Sequence, residues 1–146
     1  KKKKVLIIGY GGAALAIHYI LLKKGFKHIT IINRSKKKIK FNKKTRFTKN
    51  IKHLEECLKS SEFIINTIPK NILNNKNIKL VDKKTLLSDI VYNPKETDFL
   101  NKFSENKKIY GIQMLLNQAA ACFKLWFGFS PIIDQALLNI LEKKIQ

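Results

Sequence analysis

Apolar and polar positions fall along this chain in blocks that read as strand, helix and strand. Val5-Leu6-Ile7-Ile8 is a short, uninterrupted apolar run ending at Gly9, the pattern of a strand covered on both faces in a parallel sheet. Residues 12 to 24 predict a helix, with Leu15, Ile17, Ile20, Leu21 and Leu22 as its apolar surface and Gly25 as its cap. A second β-branched run, Ile29-Thr30-Ile31-Ile32, stops at Asn33-Arg34-Ser35. Strand, glycine turn, helix and strand within about thirty residues make a βαβ unit.

The remaining pattern extends that unit. The lysine-rich stretch 36 to 50 predicts a short helix or loop leading to a weak strand near Arg46-Phe47-Thr48, and Ile51 to Lys59 suits a short helix. Phe63-Ile64-Ile65-Asn66 is another buried strand, broken by Pro69. Residues 70 to 84 read as polar loop with room for a short strand at Ile78 to Val81. Leu86 to Val91 is the next strand, and it ends at Tyr92-Asn93-Pro94. Thr97 can cap a helix through Phe103, and Lys108-Ile109-Tyr110 is the last strand. Two helices, 112 to 127 and 131 to 145, finish the chain, separated by Gly128 with Pro131 near the start of the second. Strands alternating with helices predict a doubly wound α/β domain over residues 1–146, with a mostly parallel Rossmann-type sheet and helices on both faces. No internal repeat or interdomain linker is visible.

The glycine turn carries the first candidate chemistry. Gly9-Tyr10-Gly11-Gly12-Ala13-Ala14 fits the dinucleotide fingerprint in its G-x-G-x-x-A form. Gly9 permits a tight turn, Gly11 lets the backbone approach a pyrophosphate, and Ala14 keeps the helix close to the sheet. The helix N-terminus then offers free N–H groups to phosphates. Glycines mark many ordinary turns, but this set follows a strand and opens a helix, which is the context the fingerprint requires. An NAD site usually has Asp or Glu at the end of the second strand to hold the ribose hydroxyls. Here Asn33-Arg34-Ser35 stands there, followed by Lys36, Lys37 and Lys38. An acid would repel a ribose 2′-phosphate, whereas Arg34 can grip it and stack on adenine. The cofactor expected is NADP.

Composition narrows the function classes. A net charge of +20 could mark a nucleic-acid binder. Yet of thirty basic residues only Arg34 and Arg46 are arginine, and the lysines run the whole chain without a stripe of aromatics. The charge reads mainly as lysine-rich composition on solvated faces, with a basic nucleotide- or nucleic-acid-binding module as the alternative. No apolar run approaches the roughly 18 residues of a membrane span, and no signal-peptide cleavage pattern follows the basic start. Cys57 and Cys122 lie far apart, and His18, His28 and His53 match no metal spacing. Reduced thiols in a cytoplasmic protein without a metal centre are the expectation.

From about Lys4 to the C-terminus the sequence resembles the shikimate dehydrogenase family. Gly9 to Ala14 is similar to that family's glycine turn, and Asn33-Arg34-Ser35 to its Asn-Arg-Thr/Ser phosphate clamp, with Lys38 at its second basic position. Asp89-Ile90-Val91-Tyr92-Asn93-Pro94, with Thr97 and Leu100, resembles the family's Asp-x-x-Tyr-x-Pro stretch. Gly111, Met114-Leu115, Gln118-Ala119, Phe123, Trp126 and Gly128 resemble the segment placed beside nicotinamide and substrate. Two departures stand out: Asn66-Thr67-Ile68-Pro69 puts an apolar Ile68 where a hydroxyl is common, and Tyr10 is bulkier than the usual Ala.

What the resemblance implies is a set of roles by position. Gly9, Tyr10, Gly11, Gly12 and Ala13, with Asn33, Arg34, Ser35 and Lys38, would hold the phosphates and adenosine of NADP. Thr67, Ile68, Ile90, Gly111 and Met114 would line the nicotinamide half, while Tyr92 and Gln118 would reach shikimate or 3-dehydroshikimate. The implied activity is NADPH-dependent reduction of 3-dehydroshikimate to shikimate, in aromatic amino acid biosynthesis. The family's catalytic Lys and Asp belong to a preceding substrate domain. Nothing in these 146 residues can stand for it, so the chain, which begins at Lys1, looks like an excised domain, inactive alone. The resemblance leaves a homodimer open. A related reductase of the quinate/shikimate or glutamyl-tRNA type is the alternative among enzymes, the latter disfavoured by the Tyr92 and Gln118 stretches. Ile132, Ile133, Leu137, Leu138, Ile140 and Leu141 give the last helix more apolar surface than a free helix needs, which predicts an exposed patch.

Overall fold

The computed structural model describes residues 2–34, 45–48 and 53–145, with the backbone alone at 46–48. Among these residues six strands form one sheet: β1 (Lys4–Ile8), β2 (His28–Ile32), β3 (Thr45–Thr48), β4 (Phe63–Asn66), β5 (Leu86–Asp89) and β6 (Lys108–Ile109). Their order is β3-β2-β1-β4-β5-β6, and every neighbouring pair is parallel. This is the doubly wound order in which the chain reverses its direction of travel between β1 and β4. Ligands in such sheets bind outside the carboxyl ends of the strands at that reversal.

Side-chain alternation explains the central strands. Leu6, Ile8 and Ile64 join one core layer with Leu54, Cys57 and Leu58 of helix α2 (Leu54–Ser60). Val5, Ile7, Ile29, Ile31 and Ile65 face the other way, against Ala14 and Leu21 of helix α1 (Gly12–Lys23). Each strand is apolar on both faces because a layer covers each, so these strands read as unbroken apolar runs. Gly25, with a φ of 82°, ends α1, and its N–H and that of Phe26 reach back to the carbonyls of Leu22 and Leu21.

Several predicted boundaries move. The expected strand at Ile78 to Val81 is absent. Its place is taken by a short helix, α3 (Asn75–Ile78), and the turn that follows. Asn74 and Asn77 bond each other's backbone N–H groups in a capping box, which helps fix a helical turn there. β5 stops at Asp89, not Val91, because the Asp89 side chain turns back to accept from the Val91 N–H at 3.0 Å. The expected helix from Thr97 to Phe103 is a single 3-10 turn, Leu100–Lys102, with Thr97 Oγ1 accepting from the Leu100 N–H. The last helix begins later than residue 131: Asp134 caps the Leu137 N–H at 2.8 Å and starts α5 (Gln135–Lys144). Before it, α4 (Gly111–Phe127) ends at Gly128 in a left-handed cap. The short helix or loop expected over residues 36 to 44 lies outside the described residues.

Candidate functional site

The site grows from the carboxyl ends of β1, β2 and β4. Gly9 has a φ of +93°, and its N–H bonds to the Ile32 carbonyl at 2.7 Å, locking the turn to the end of β2. A Cβ at Gly9 would collide with the Ile68 methyl and stand 2.7 Å from Thr67 Oγ1. Thr67 in turn bonds the Ile8 carbonyl through both its N–H (2.9 Å) and its hydroxyl (2.7 Å). Gly9 is therefore required by the fold. Gly11 and Gly12 differ: a Cβ at either meets nothing within 4 Å among the described residues. Space is open over the first turn of α1, whose Gly11 cap supplies no side-chain hydrogen bond and whose first turn holds no acid.

Tyr10 points inward. Its ring is 2% exposed, and its hydroxyl lies 2.7 Å from His18 Nδ1 on α1. His18 Nε2 lies 3.0 Å from Thr45 Oγ1 at the start of β3. Burial holds the His18 ring below its ordinary titration range and pushes the Tyr10 phenol up. The glycine turn, α1 and β3 are thus tied by one chain of polar side chains. Tyr10 can meet a ligand only through its backbone.

Two cavities open at this edge. One, of about 630 Å³, has Ile8, Gly9, Ile32, Asn33 and Arg34 on one side. Ile68, Pro69, Lys70 and Ile72, from the loop after β4, form its other side. The second, of about 430 Å³, is bounded by Thr67 to Pro69 and by Ile90 to Asn93, so Ile90 and Tyr92 share it. The residue 67–69 segment lies between them and contributes to both. Gly111, opening α4, sits so tightly on the chain after β5 that a Cβ would strike the Val91 carbonyl oxygen and lie 2.6 Å from that of Ile90. Met114 and Gln118 follow at helical spacing on α4, Met114 half-buried and Gln118 exposed. Neither they nor Gly11, Gly12 and Ala13 line the two cavities. Ser35 and Lys38 lie outside the described residues.

A polar knot lines a third, smaller cavity of about 150 Å³. Asp89 is 1% exposed; its Oδ2 accepts from Thr97 Oγ1 at 2.7 Å and from Asn66 Nδ2 at 3.1 Å. This knot fixes the spacing between the loops after β4 and β5. Beside it, Glu96 accepts from the Tyr110 hydroxyl at 2.7 Å and from Lys108 Nζ at 3.0 Å. Lys95 pairs with Glu142 of α5 at 2.8 Å. Lys70, Ile72 and Glu96 escaped the sequence reading. In a chain this rich in lysine nothing distinguishes Lys70 until the loop places it. Among the described residues no helix is long and apolar enough to cross a membrane, and no three His, Cys, Asp or Glu side chains gather as a metal site.

A parallel sheet with this strand order and a glycine turn opening α1 at its reversal point defines a Rossmann domain of the dinucleotide-binding class. The chain belongs to the shikimate / quinate 5-dehydrogenase family, whose model matches residues 1–116. It is 37% identical to the shikimate dehydrogenase (NADP(+)) of Bartonella tribocorum over 94% of its own length and 52% of that protein's. The crystal structure of shikimate dehydrogenase from Aquifex aeolicus superposes with a TM-score of 0.74 at 34% identity, covering 90% of this chain and 51% of that one. Quinate dehydrogenase from Corynebacterium glutamicum, solved with NAD, shares the fold at a TM-score of 0.82 and 18% identity, over 97% and 55% of the two chains. The chain spans about half the length of the curated relatives it matches.

Proposed function

We propose that this chain is the NADP-binding part of a cytoplasmic shikimate dehydrogenase that interconverts 3-dehydroshikimate and shikimate. The observation that carries the reading is Arg34. It stands at the end of β2 where an NAD site has an acid, and it faces the cavity whose floor is Gly9. The residues present fit the cofactor: the shelf over Gly11 and Gly12 is open, and a cavity of about 630 Å³ lies beside it. The relatives' names carry NADP(+).

Bound there, the dinucleotide supplies the hydride that reduces a ketone to an alcohol. The chain's own residues do the holding. The free N–H groups at the start of α1 receive the pyrophosphate. Arg34, beside Asn33, would grip the 2′-phosphate with its planar fork, and the family resemblance assigns Ser35 and Lys38 to the same group. Thr67, Ile68 and Ile90 shape the nicotinamide end, to which the family resemblance also assigns Gly111 and Met114 of α4. Tyr92 and Gln118 reach toward the substrate. Proton transfer falls to the Lys–Asp pair of the substrate domain that the family resemblance implies.

That domain would also cover the apolar ends of α4 and α5. Leu125 is 83% exposed, Trp126 73% and Ile132 83%, more apolar surface than a free face normally keeps. None of Ile132, Ile133, Leu137, Leu138, Ile140 and Leu141 is buried within this chain. Cys57 and Cys122 are not joined in a disulfide, which fits a reducing compartment.

Matched titrations with NADPH and NADH at about 0.15 M salt, where diffuse charge attraction is damped, test the reading. Preference for NADPH that falls at least about tenfold in Arg34→Ala is expected from loss of a charge-assisted fork. Weak, equal binding of both nucleotides would favour the basic-module alternative. Steady reduction of 3-dehydroshikimate by this chain alone would refute the assignment of proton transfer to another domain.

A further inference from the structure

The loop after β4 brings to the first cavity a cation that the phosphate-turn pattern does not include. Lys70 lines the cavity together with Arg34, and the two come from different strand ends: Arg34 follows β2, Lys70 follows β4. Among the described residues no carboxylate lines this cavity; Lys70 also borders a smaller one, of about 150 Å³, whose wall carries Asp89 and Asp98.

The loop that carries Lys70 is held on both sides of it. Before it, Thr67 bonds twice to Ile8, and Asn66 Nδ2 donates to the Ile68 carbonyl at 2.9 Å. After it, Asn71 accepts from the Leu73 N–H at 2.9 Å and donates to the Asp98 carbonyl at 3.3 Å. Leu73 is buried in the core. The backbone on which Lys70 stands is thus fixed, and ordering it costs little when a ligand arrives. Flanking it, Ile68 packs on the core and Ile72 is 37% exposed, so the same loop gives the cavity an apolar wall.

We propose that Lys70 is a specificity-determining residue, a second reader of the ribose 2′-phosphate that closes from the β4 side the clamp Arg34 forms from the β2 side. The inference rests on the NADP reading above. A phosphate monoester carries between one and a half and two negative charges, roughly, at pH 7. The family resemblance gives that charge Arg34 and Lys38 from the β2 side, and a point-charge ammonium on a flexible stem suits the oxygens turned toward the loop after β4. The adenine ring would lie between, against Ile68 and Ile72.

The test is the ratio of NADPH to NADH affinity in Lys70→Gln, measured at about 0.15 M salt. The expected result is a fall of about five- to tenfold for NADPH, the effect of one partly exposed charge-assisted contact, with NADH changed less than about twofold. Lys70→Glu should lower the ratio further, and Lys70→Arg should restore it. A merely structural role for Lys70 would shift both nucleotides together, and that outcome overturns the inference. An unaltered ratio in Lys70→Gln, in a protein that does prefer NADPH, overturns it while leaving the NADP reading intact. Absence of NADPH preference in the unsubstituted protein overturns both.

Discussion

The phenolic hydroxyl of Tyr110 donates to Oε1 of Glu96 at 2.7 Å and so joins the end of β6 to the loop that carries Tyr92. The bond to Glu96, then burial, then the charges of Glu96 and Glu142 push the Tyr110 phenol from its ordinary 10.0 up to about 12. Burial pushes Glu96 up, but the hydrogen bonds from Tyr110 and Lys108 and the charges of Lys108 and Lys95 outweigh it. Its carboxyl therefore titrates below the ordinary 4.5.

Because the folded-state value of Tyr110 is raised, its contribution is complete below pH 10 and is lost as the pH climbs toward 12. Glu96 has the opposite sign: its contribution is complete above pH 4.5 and is lost in acid below that. Tyr110→Phe should cost about 1 kcal/mol in urea unfolding at neutral pH, and the deficit should shrink above pH 10. Absorbance titration of the phenols should lose its component near pH 12 in the variant. An unchanged titration would show that the bond is not kept in solution.

The two kinds of glycine in the turn separate by what each variant loses. Gly9→Ala forces a side chain into a left-handed backbone against Thr67 and Ile68, so unfolding free energy should fall by about 1–3 kcal/mol. Gly11→Ala meets no atom of the described residues within 4 Å and should change stability by less than about 1 kcal/mol. Its NADPH affinity should nevertheless drop, because the added methyl occupies the phosphate shelf. Equal stability losses in the two variants would erase the distinction.

Asp89 is buried with both oxygens engaged. Asp89→Ala strands the Thr97 hydroxyl, the Asn66 amide and the Val91 N–H, and should destabilise by about 3 kcal/mol. Thr97→Val removes one of these bonds together with the one from the Leu100 N–H, and should cost about 2 kcal/mol. Chemical denaturation of both variants checks the order, and a larger loss in Thr97→Val would contradict the geometry.

Polar substitutions on the α4 end should be nearly silent in this chain. Leu125→Gln and Ile132→Gln each replace a side chain that is 83% exposed, and should shift stability by no more than about 0.5 kcal/mol. A loss above about 2 kcal/mol in either would mean that the patch is covered when the chain is alone in solution.

Most of the architecture is legible in the sequence because buried parallel strands announce themselves. Val5 to Ile8, Ile29 to Ile32 and Phe63 to Asn66 are apolar on both faces, and each became a strand. Boundaries set by a single side-chain bond were less legible. Asp89 turning back on Val91, Asn74 and Asn77 capping each other, and Asp134 delaying α5 are contacts that periodicity does not encode. The site divides in the same way. Gly9, Arg34, Ile68, Ile90 and Tyr92 are in sequence motifs and line the cavities, while Lys70 and Ile72 sit in a stretch that reads only as polar loop. Tyr10 was placed by position on a ligand, yet its ring belongs to the core.

Every pairing in the sheet is parallel, so no two neighbouring strands can be joined by a hairpin. Each ladder closes only after an intervening crossover has collapsed onto the layer it covers. β1, the central strand, must find partners on both sides before the turn at its end has its final shape. Folding of this chain should therefore be slow for its size and dominated by loop closure. The nucleotide shelf would be among the last features to form, so bound nucleotide should slow unfolding far more than added nucleotide speeds folding.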